Sequence, residues 1–277
     1  MYKLIELWDN IAYSLYNLFA YLCYALVDRF RYRIILKKAK KLRDIHKGER
    51  CFVILNGPSI NSYDLRPLAD EITFCVNQFF RTSQYDIIRP KYYCFWDSNI
   101  IYDDRFESVR DTFRKQVKPA KFLFNKKLNG LLPETEDIYY IYGMHMPTAR
   151  KIHDDLGGLS SSFSNVGLFA ILCAMYMGIK EIYLLGYDFS PRSFSNNHAY
   201  ATLAVENQIY QQMFINANKI CGCLGYWHYY LTQLQSYYLR TFADKKGCRI
   251  INLNPDSCIR AFEFGDYTDF FLKKVID

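Results

Sequence analysis

The sequence is poor in the signatures that would settle a function at once. It has no Gly-Lys-Ser/Thr closing a Walker loop and no glycine fingerprint with dinucleotide spacing, so the commonest phosphate-binding motifs are excluded. No cysteine pair has zinc-finger spacing; Cys221-Gly-Cys223 is too close and has no second pair. The nine cysteines are odd in number and most lie inside apolar runs, which reads as buried thiols in a reducing cytosol rather than a disulfide framework. No RNA-binding signature accompanies the positive charge, so nucleic acid drops out as a partner. The apolar run Ile11–Val27 lacks the net positive charge before it and the small-residue cleavage site after it that a secretory signal carries. It is also short of the roughly 20 apolar residues that a bilayer span needs. No internal repeat or low-complexity linker interrupts Cys51–Asp277.

What is present is apolar, aromatic and basic. Hydrophobic residues make up 51% and charged residues 23%, which excludes both a disordered chain and a multi-span membrane protein. With 277 residues the chain can bury one substantial core, as one domain or at most two. The aromatic share is 18%, with 25 Tyr and 21 Phe, a wealth that suits sugar faces, bilayer interfaces or a strand-rich core. The net charge of +7 suits an anionic lipid surface or a nucleotide. Much of it lies in one run from Arg29 to Arg43.

The chain divides at about residue 47. In residues 1–47 apolar positions recur at helical spacing and a polybasic stretch follows directly, the pattern of an interfacial amphipathic helix with its cations at the headgroups. The alternative is a helix packed on the body of the protein, or on a second copy in a homo-oligomer. Residues 48–277 alternate strand and helix. Strand-like runs occupy Cys51–Leu55, Ile72–Val76, Tyr92–Trp96, Ile138–Tyr142, Ile182–Leu185 and Cys248–Leu253. Helical periodicity marks Asn165–Met177, Leu203–Lys219 and Tyr229–Asp244. The expected fold is α/β, a Rossmann-like, mostly parallel sheet with helices on both faces, and a lid over about residues 191–225.

In such sheets ligands bind beyond the carboxyl ends of the strands. Five of the expected strands end in polar clusters: Asn56-Gly57-Pro58-Ser59, Asn77-Gln78, Asp97-Ser98-Asn99, Gly186-Tyr187-Asp188 and Asn254-Pro255-Asp256-Ser257. One cluster would be an ordinary turn. Five at the same end of one sheet describe a binding crevice. The first of them reads either as a tight turn or as a phosphate cradle, since glycine admits close approach and a following helix start would present N–H groups.

The pieces VILNGPS, CVNQFF, NVGLFAILCAMYMGIKEIYLLGYDF and NLNPDSCIRAF, in that order, resemble the bacterial lipooligosaccharide sialyltransferases, glycosyltransferase family 42. They also resemble the related pterin-diphosphokinase-like group. Gly178–Phe189 is the most specific of these pieces. The resemblance implies a single-domain GT-A-like variant and a metal-independent, inverting transferase without a cofactor, whose donor substrate is a CMP-activated sugar. By resemblance Asn56, Ser59 and Asn77 contact the nucleotide phosphate and ribose, and Gly167 lies close to the donor. Asn254 and Ser257 sit near the cytosine. Gly57, Pro58, Gln78, Asp97, Ser98, Asn165, Gly186 and Asp188 complete the expected substrate-binding set.

His228 takes the place of the family's general base, just before the helix that leads into the last strand, and His198 is the second choice. An acceptor hydroxyl must lose its proton as it attacks the anomeric carbon, and imidazole titrates near working pH. The sequence also departs from the family. Ser190 follows Phe189 where the family has Tyr, so Tyr187 or Tyr200 would have to steady the departing phosphate. The family's Ser or Thr before the helix glycine is replaced by Asn165-Val166. Its Asn at the third strand end is Asp97, which would repel a carboxylated sugar unless paired.

The resulting expectation is a transferase that passes sialic acid or a related acidic sugar from CMP to a bacterial surface glycan or glycolipid. It would work in the cytoplasm, peripheral on the inner face of the inner membrane. Two alternatives stand beside it. One is a Mg²⁺-dependent diphosphate transferase using Asp97 and Asp188. The other is a non-catalytic scaffold that binds nucleotide sugar.

Overall fold

The computed structural model describes residues 2–96, 106–117, 121–126, 135–144, 150–189, 199 and 224–268. The predominantly apolar runs CFVI, TFCV, YYCF and EIYLL lack the alternation of a half-exposed strand, which predicts burial on both faces of a parallel sheet. They form it. One sheet holds β1 (Arg50–Ile54), β2 (Thr73–Val76), β3 (Tyr92–Phe95), β4 (Lys121–Asn125), β5 (Ile138–Ile141), β6 (Glu181–Leu185), β7 (Arg249–Asn252) and β8 (Glu263–Phe264). The order is β5-β4-β3-β2-β1-β6-β7-β8 and every pairing is parallel. The fold is Rossmann-like α/β. Neither β4 nor the two-residue β8 was expected from the sequence. The helix expected at Leu203–Lys219 and most of the expected lid lie outside the described residues.

Side chains alternate across the sheet. Val53, Phe74, Cys94, Leu123 and Leu184 point to one face, where α4 (Val166–Tyr176) lies. This helix is apolar all round, and all but two of its residues are buried, so it acts as a central core element and not as an amphipathic surface helix. Helix α5 (Leu224–Lys245) joins it on that face through Leu239 and Ala243. The other face is built from rings. Phe113 of α3 (Glu107–Gln116) has Phe80, Tyr93, Phe95, Phe122 and Phe124 with ring centroids 5.2 to 6.3 Å away, mostly edge to face. Much of the aromatic wealth is therefore spent on the core.

The thiols of Cys51, Cys75, Cys94, Cys173 and Cys248 are buried and free, as expected. Burial pushes the Cys51, Cys75 and Cys173 thiols well up.

The N-terminal segment is continuous with this body. Helix α1 (Tyr2–Cys23) runs through a π turn at Tyr24–Asp28 toward α2 (Arg33–Ala39). Ala39 and Leu42 join the α4 side of the core. The N–H groups of Asp44, His46 and Gly48 donate to the carbonyls of Tyr176, Met177 and Gly178 at the end of α4, at 3.1, 2.8 and 2.9 Å.

Phe113→Ala should cost about 3–5 kcal/mol, because five rings lose their common partner and cannot close the gap. A urea titration would show this as a lower midpoint with an unchanged slope.

Candidate active site

The sheet reverses its winding between β1 and β6. The connection leaving β1 packs Ile60, Leu65 and Leu68 on the α3 face, while the one leaving β6 returns through α5 on the α4 face. This divergence opens a crevice at the carboxyl ends of β1 and β6, the place where open α/β sheets bind ligands. Across it the two chains touch through backbone. Leu55 N–H donates to Leu185 O at 2.8 Å, and Gly57 N–H to Gly186 O at 3.0 Å. A Cβ on Gly57 would lie 2.4 Å from Gly186 O and 2.5 Å from Asp188 Oδ2. One on Gly186 would lie 2.6 Å from Leu55 O, and its φ of +66° is left-handed as well. Only glycine fits at either position.

Asp188 ties three loops together. Its carboxylate accepts the Ser59 N–H at 2.8 Å, the Ser59 hydroxyl, and Asn254 Nδ2 at 2.7 Å. The loops after β1, β6 and β7 thus meet on one side chain. Behind it, Ser257 Oγ and Asn252 Nδ2 donate to Tyr187 O at 2.6 and 3.3 Å, and Cys258 N–H donates to Asp188 O at 2.9 Å. Asn254 takes the backbone N–H of Asp256 on Oδ1 at 3.1 Å. Asn254 and Ser257, expected near a base, therefore brace the crevice wall.

Several expected contacts are already occupied. The Asn56-Gly57-Pro58-Ser59 run opens a five-residue 3₁₀ turn, Pro58–Ser62. Gly57 N–H is taken by Gly186 O and Ser59 N–H by Asp188, while Pro58 has none to give. The loop is a tight turn, and the N–H groups of Gly57 and Ser59 are engaged within the protein. Asn77 is left-handed (φ +44°); its Oδ1 accepts Trp96 N–H at 3.2 Å, which braces the end of β3. Gln78 is buried and its Oε1 accepts from the Arg81 guanidinium. Asn165 caps α4, accepting Gly167 N–H at 2.7 Å.

Asn56 differs from these. Its Nδ2 donates to Val76 O at 3.3 Å, which leaves Oδ1 buried without a protein partner among the described residues. An N–H or hydroxyl of a ligand would satisfy it.

Tyr187 does not face the crevice. It is 2% exposed, its hydroxyl lies 3.1 Å from Ser236 Oγ, and burial pushes the phenol far above its ordinary range. It cannot steady a leaving group there. Tyr200, His198, Asp97 and Ser98 lie outside the described residues.

His228 is exposed, and it sits inside the start of α5 instead of before it. The next residue fastens this helix end to the crevice. Tyr229 stacks on Phe189 at 5.8 Å, directly beyond Asp188, and its hydroxyl donates to Cys258 O at 3.1 Å. Gln233 Nε2 reaches both Tyr229 Oη (2.9 Å) and Cys258 O (2.5 Å). Sequence reasoning missed Gln233 and also Gln235, which is fully buried. The N–H and hydroxyl of Ser164 donate to Gln235 Oε1 at 3.0 and 2.7 Å. The signal was available, since Thr232, Gln235 and Ser236 put polar groups on a helix face that must pack.

The remaining described histidines lie elsewhere. His46 is held between Tyr92 Oη (2.7 Å) and Glu49 Oε1 (3.0 Å). His153 is half-buried, and burial first, then the Lys151 charge, lowers its pKa from 6.5. A cavity of about 300 Å³ lined by Arg43, Lys47, Tyr176, Lys180 and Lys246 opens at the opposite, amino end of the sheet.

No protein-family model and no curated protein matches the chain. Solved structures do. The sialyltransferase CstII from Campylobacter jejuni, in complex with the substrate analogue CMP-3FNeuAc, is 17% identical with a TM-score of 0.46 and coverage of 78% of this chain and 85% of that one. Cst-I, a monofunctional alpha-2,3-sialyltransferase of the same organism, is 15% identical with a TM-score of 0.48, over 78% and 79%. The MAf glycosyltransferase from Magnetospirillum magneticum is 11% identical with a TM-score of 0.49, over 87% of this chain and 40% of that one. Function therefore rests on the chain's own residues. Fold and crevice define the class, a Rossmann-like α/β protein with a polar site at its switch point.

Asp188→Ala should destabilise the protein by about 2–3 kcal/mol, because donors from two loops lose a charged acceptor; chemical denaturation reads this directly. A second expectation concerns pH. The lowered pKa of His153 contributes stability that is fully present above pH 6.5 and is lost as pH falls through the folded value. His153→Gln should therefore flatten the decline of the denaturation midpoint below pH 6.5.

Proposed function

We propose that the chain is a glycosyltransferase that takes a CMP-activated sugar and passes it to a hydroxyl of a glycan acceptor, without a metal. The observation that carries this reading is the convergence on one crevice. The loops after β1, β6 and β7 meet at Asp188, the helix bearing His228 is fastened to the same loops, and Asn56 keeps a buried acceptor free. The motifs that resemble the sialyltransferases supply three of those loops. Catalysis would be positioning plus a base. His228 accepts the proton of the acceptor hydroxyl as it attacks the anomeric carbon from the face opposite the nucleotide, which inverts the configuration. The departing phosphate needs hydroxyl or N–H donors. With Tyr187 buried, Tyr200 is the remaining candidate for that role.

The diphosphate-transferase reading is weaker for a specific reason. It needs Asp188 as a Mg²⁺ ligand, yet that carboxylate already accepts hydrogen bonds from Ser59 N–H, Ser59 Oγ and Asn254 Nδ2.

Thermal shifts with CMP, CDP, UDP, GDP and ATP, each with and without Mg²⁺, test the assignment. CMP at about 100 times its Kd should stabilise the fold by roughly 2.7 kcal/mol without metal. His228→Ala should lower turnover about 10²- to 10⁴-fold and leave the CMP shift intact. Stabilisation by ATP with Mg²⁺ alone would overturn the proposal, and binding of CMP without turnover of any CMP-sugar would leave the scaffold reading.

A further inference from the structure

Helix α1 and the turns after it have two unlike faces. The inner face is built onto the domain. Arg150 lies 5.2 Å over the Tyr13 ring, Ala20 is 1% exposed, and the Tyr24 ring is 5.5 Å from that of Tyr142. Asp28 Oδ2 accepts the Tyr142 hydroxyl at 2.6 Å, and Lys126 Nζ stands 3.9 Å over the Tyr142 ring.

The outer face is apolar and bare. Leu4, Trp8, Ile11, Leu15, Leu18 and Leu22 form a continuous stripe, from 44% exposed at Ile11 and Leu22 to 71% at Trp8. Leu26, Phe30 and Ile34 extend it, the last 80% exposed. Soluble surfaces scatter single apolar side chains but do not line them up over this length.

Charge identifies the occupant. No side chain from Asn10 to Val27 is charged, and then Arg29, Arg31, Arg33, Lys37, Lys40 and Lys41 follow, all exposed. A helical partner of the coiled-coil kind would call for charged flanks beside the stripe. Parallel pairing with a second copy would set the basic run against itself. A sheet of anionic headgroups over hydrocarbon matches both halves. We propose that α1 and the basic turns after it seat the protein on an anionic lipid bilayer, lying in the interface and not crossing it.

The helical stretch Asn10–Arg31 is long and apolar enough to span. Spanning, however, would strip its inner face from Tyr142 and carry Asp28 into hydrocarbon, where a carboxylate is costly.

The seat also orients the crevice. Lys126 and Tyr142 directly follow β4 and β5, so the π turn after α1, through Tyr24 and Asp28, grips the same carboxyl rim of the parallel sheet that holds Asp188. Resting on the transferase reading above, this makes the acceptor a lipid-linked glycan presented at the headgroups.

Sedimentation of the full chain with vesicles of phosphatidylcholine alone, or mixed with phosphatidylglycerol, tests the seat without any assay of turnover. Binding to the anionic vesicles alone, falling as salt rises, is expected. Leu15→Glu with Leu18→Glu should weaken it at least tenfold at an unchanged melting temperature, since both side chains are exposed. Each of Arg31→Gln, Arg33→Gln and Lys37→Gln should weaken it about fivefold. Brominated lipids should quench the Trp8 share of fluorescence, defined with Trp8→Phe, most strongly from shallow positions.

Three results would overturn the proposal: no binding, strongest quenching from the bilayer centre, or a dimer in solution that the double Glu variant dissolves. Vesicle binding without any CMP shift would leave the seat standing and remove the transferase reading. For the acceptor, anionic vesicles carrying glycolipid should raise turnover in the native chain and not in the double variant; equal turnover in both would remove the lipid-linked assignment.

Discussion

The structure depends on the bond set around Asp188. At a switch point the two central strands send their connections to opposite faces, and nothing in the sheet itself holds the loops beyond them together. An ionised carboxylate is suited to the task, because it accepts several hydrogen bonds at once. Here it takes two from Ser59 and one from Asn254, on top of the direct backbone contact of Gly57 with Gly186. The crevice is thereby a braced notch whose walls are backbone. Beside it stands the half-buried Asn56, whose Oδ1 is buried with no partner among the described residues.

Packing fixes what surrounds that notch. One sheet face is filled by α4 and the other by the Phe113 ring cluster, so the strands that end at the crevice have little freedom to shift. The N-terminal segment shares in this. Its C-terminal part enters the core through Ala39 and Leu42, and its Asp28 meets Tyr142 at the end of β5. One continuous stretch of chain therefore carries both a bare apolar stripe and core residues, and it holds the stripe at the rim where the crevice opens.

The fold was largely legible because buried parallel strands are written as short, unbroken apolar runs ending in polar residues. Where that signal was weak, the reading failed. Lys121–Asn125 is bounded by polar residues at both ends, and Glu263-Phe264 is too short to have a period. The site was legible as a set of positions and less so as a set of roles. Asn77, Gln78, Asn254 and Ser257 lie at strand ends as expected, yet their polar atoms bond to the protein itself. Gln233 and Gln235 were passed over because helical period shows which face packs and not which polar residue on it is used.

By itself the sequence determined the alternation of strand and helix, the glycines where backbones must touch, the polar strand ends and the charge-free helix followed by cations. These follow from local rules, period, turn chemistry and composition, which act over a few residues. Tertiary structure alone decided that Ser59 N–H meets Asp188 and not a phosphate, that Tyr187 turns into the core, and that α1 lies along the domain. Each of these depends on a partner between 49 and 129 residues away, and short-range pattern carries no information about such a partner.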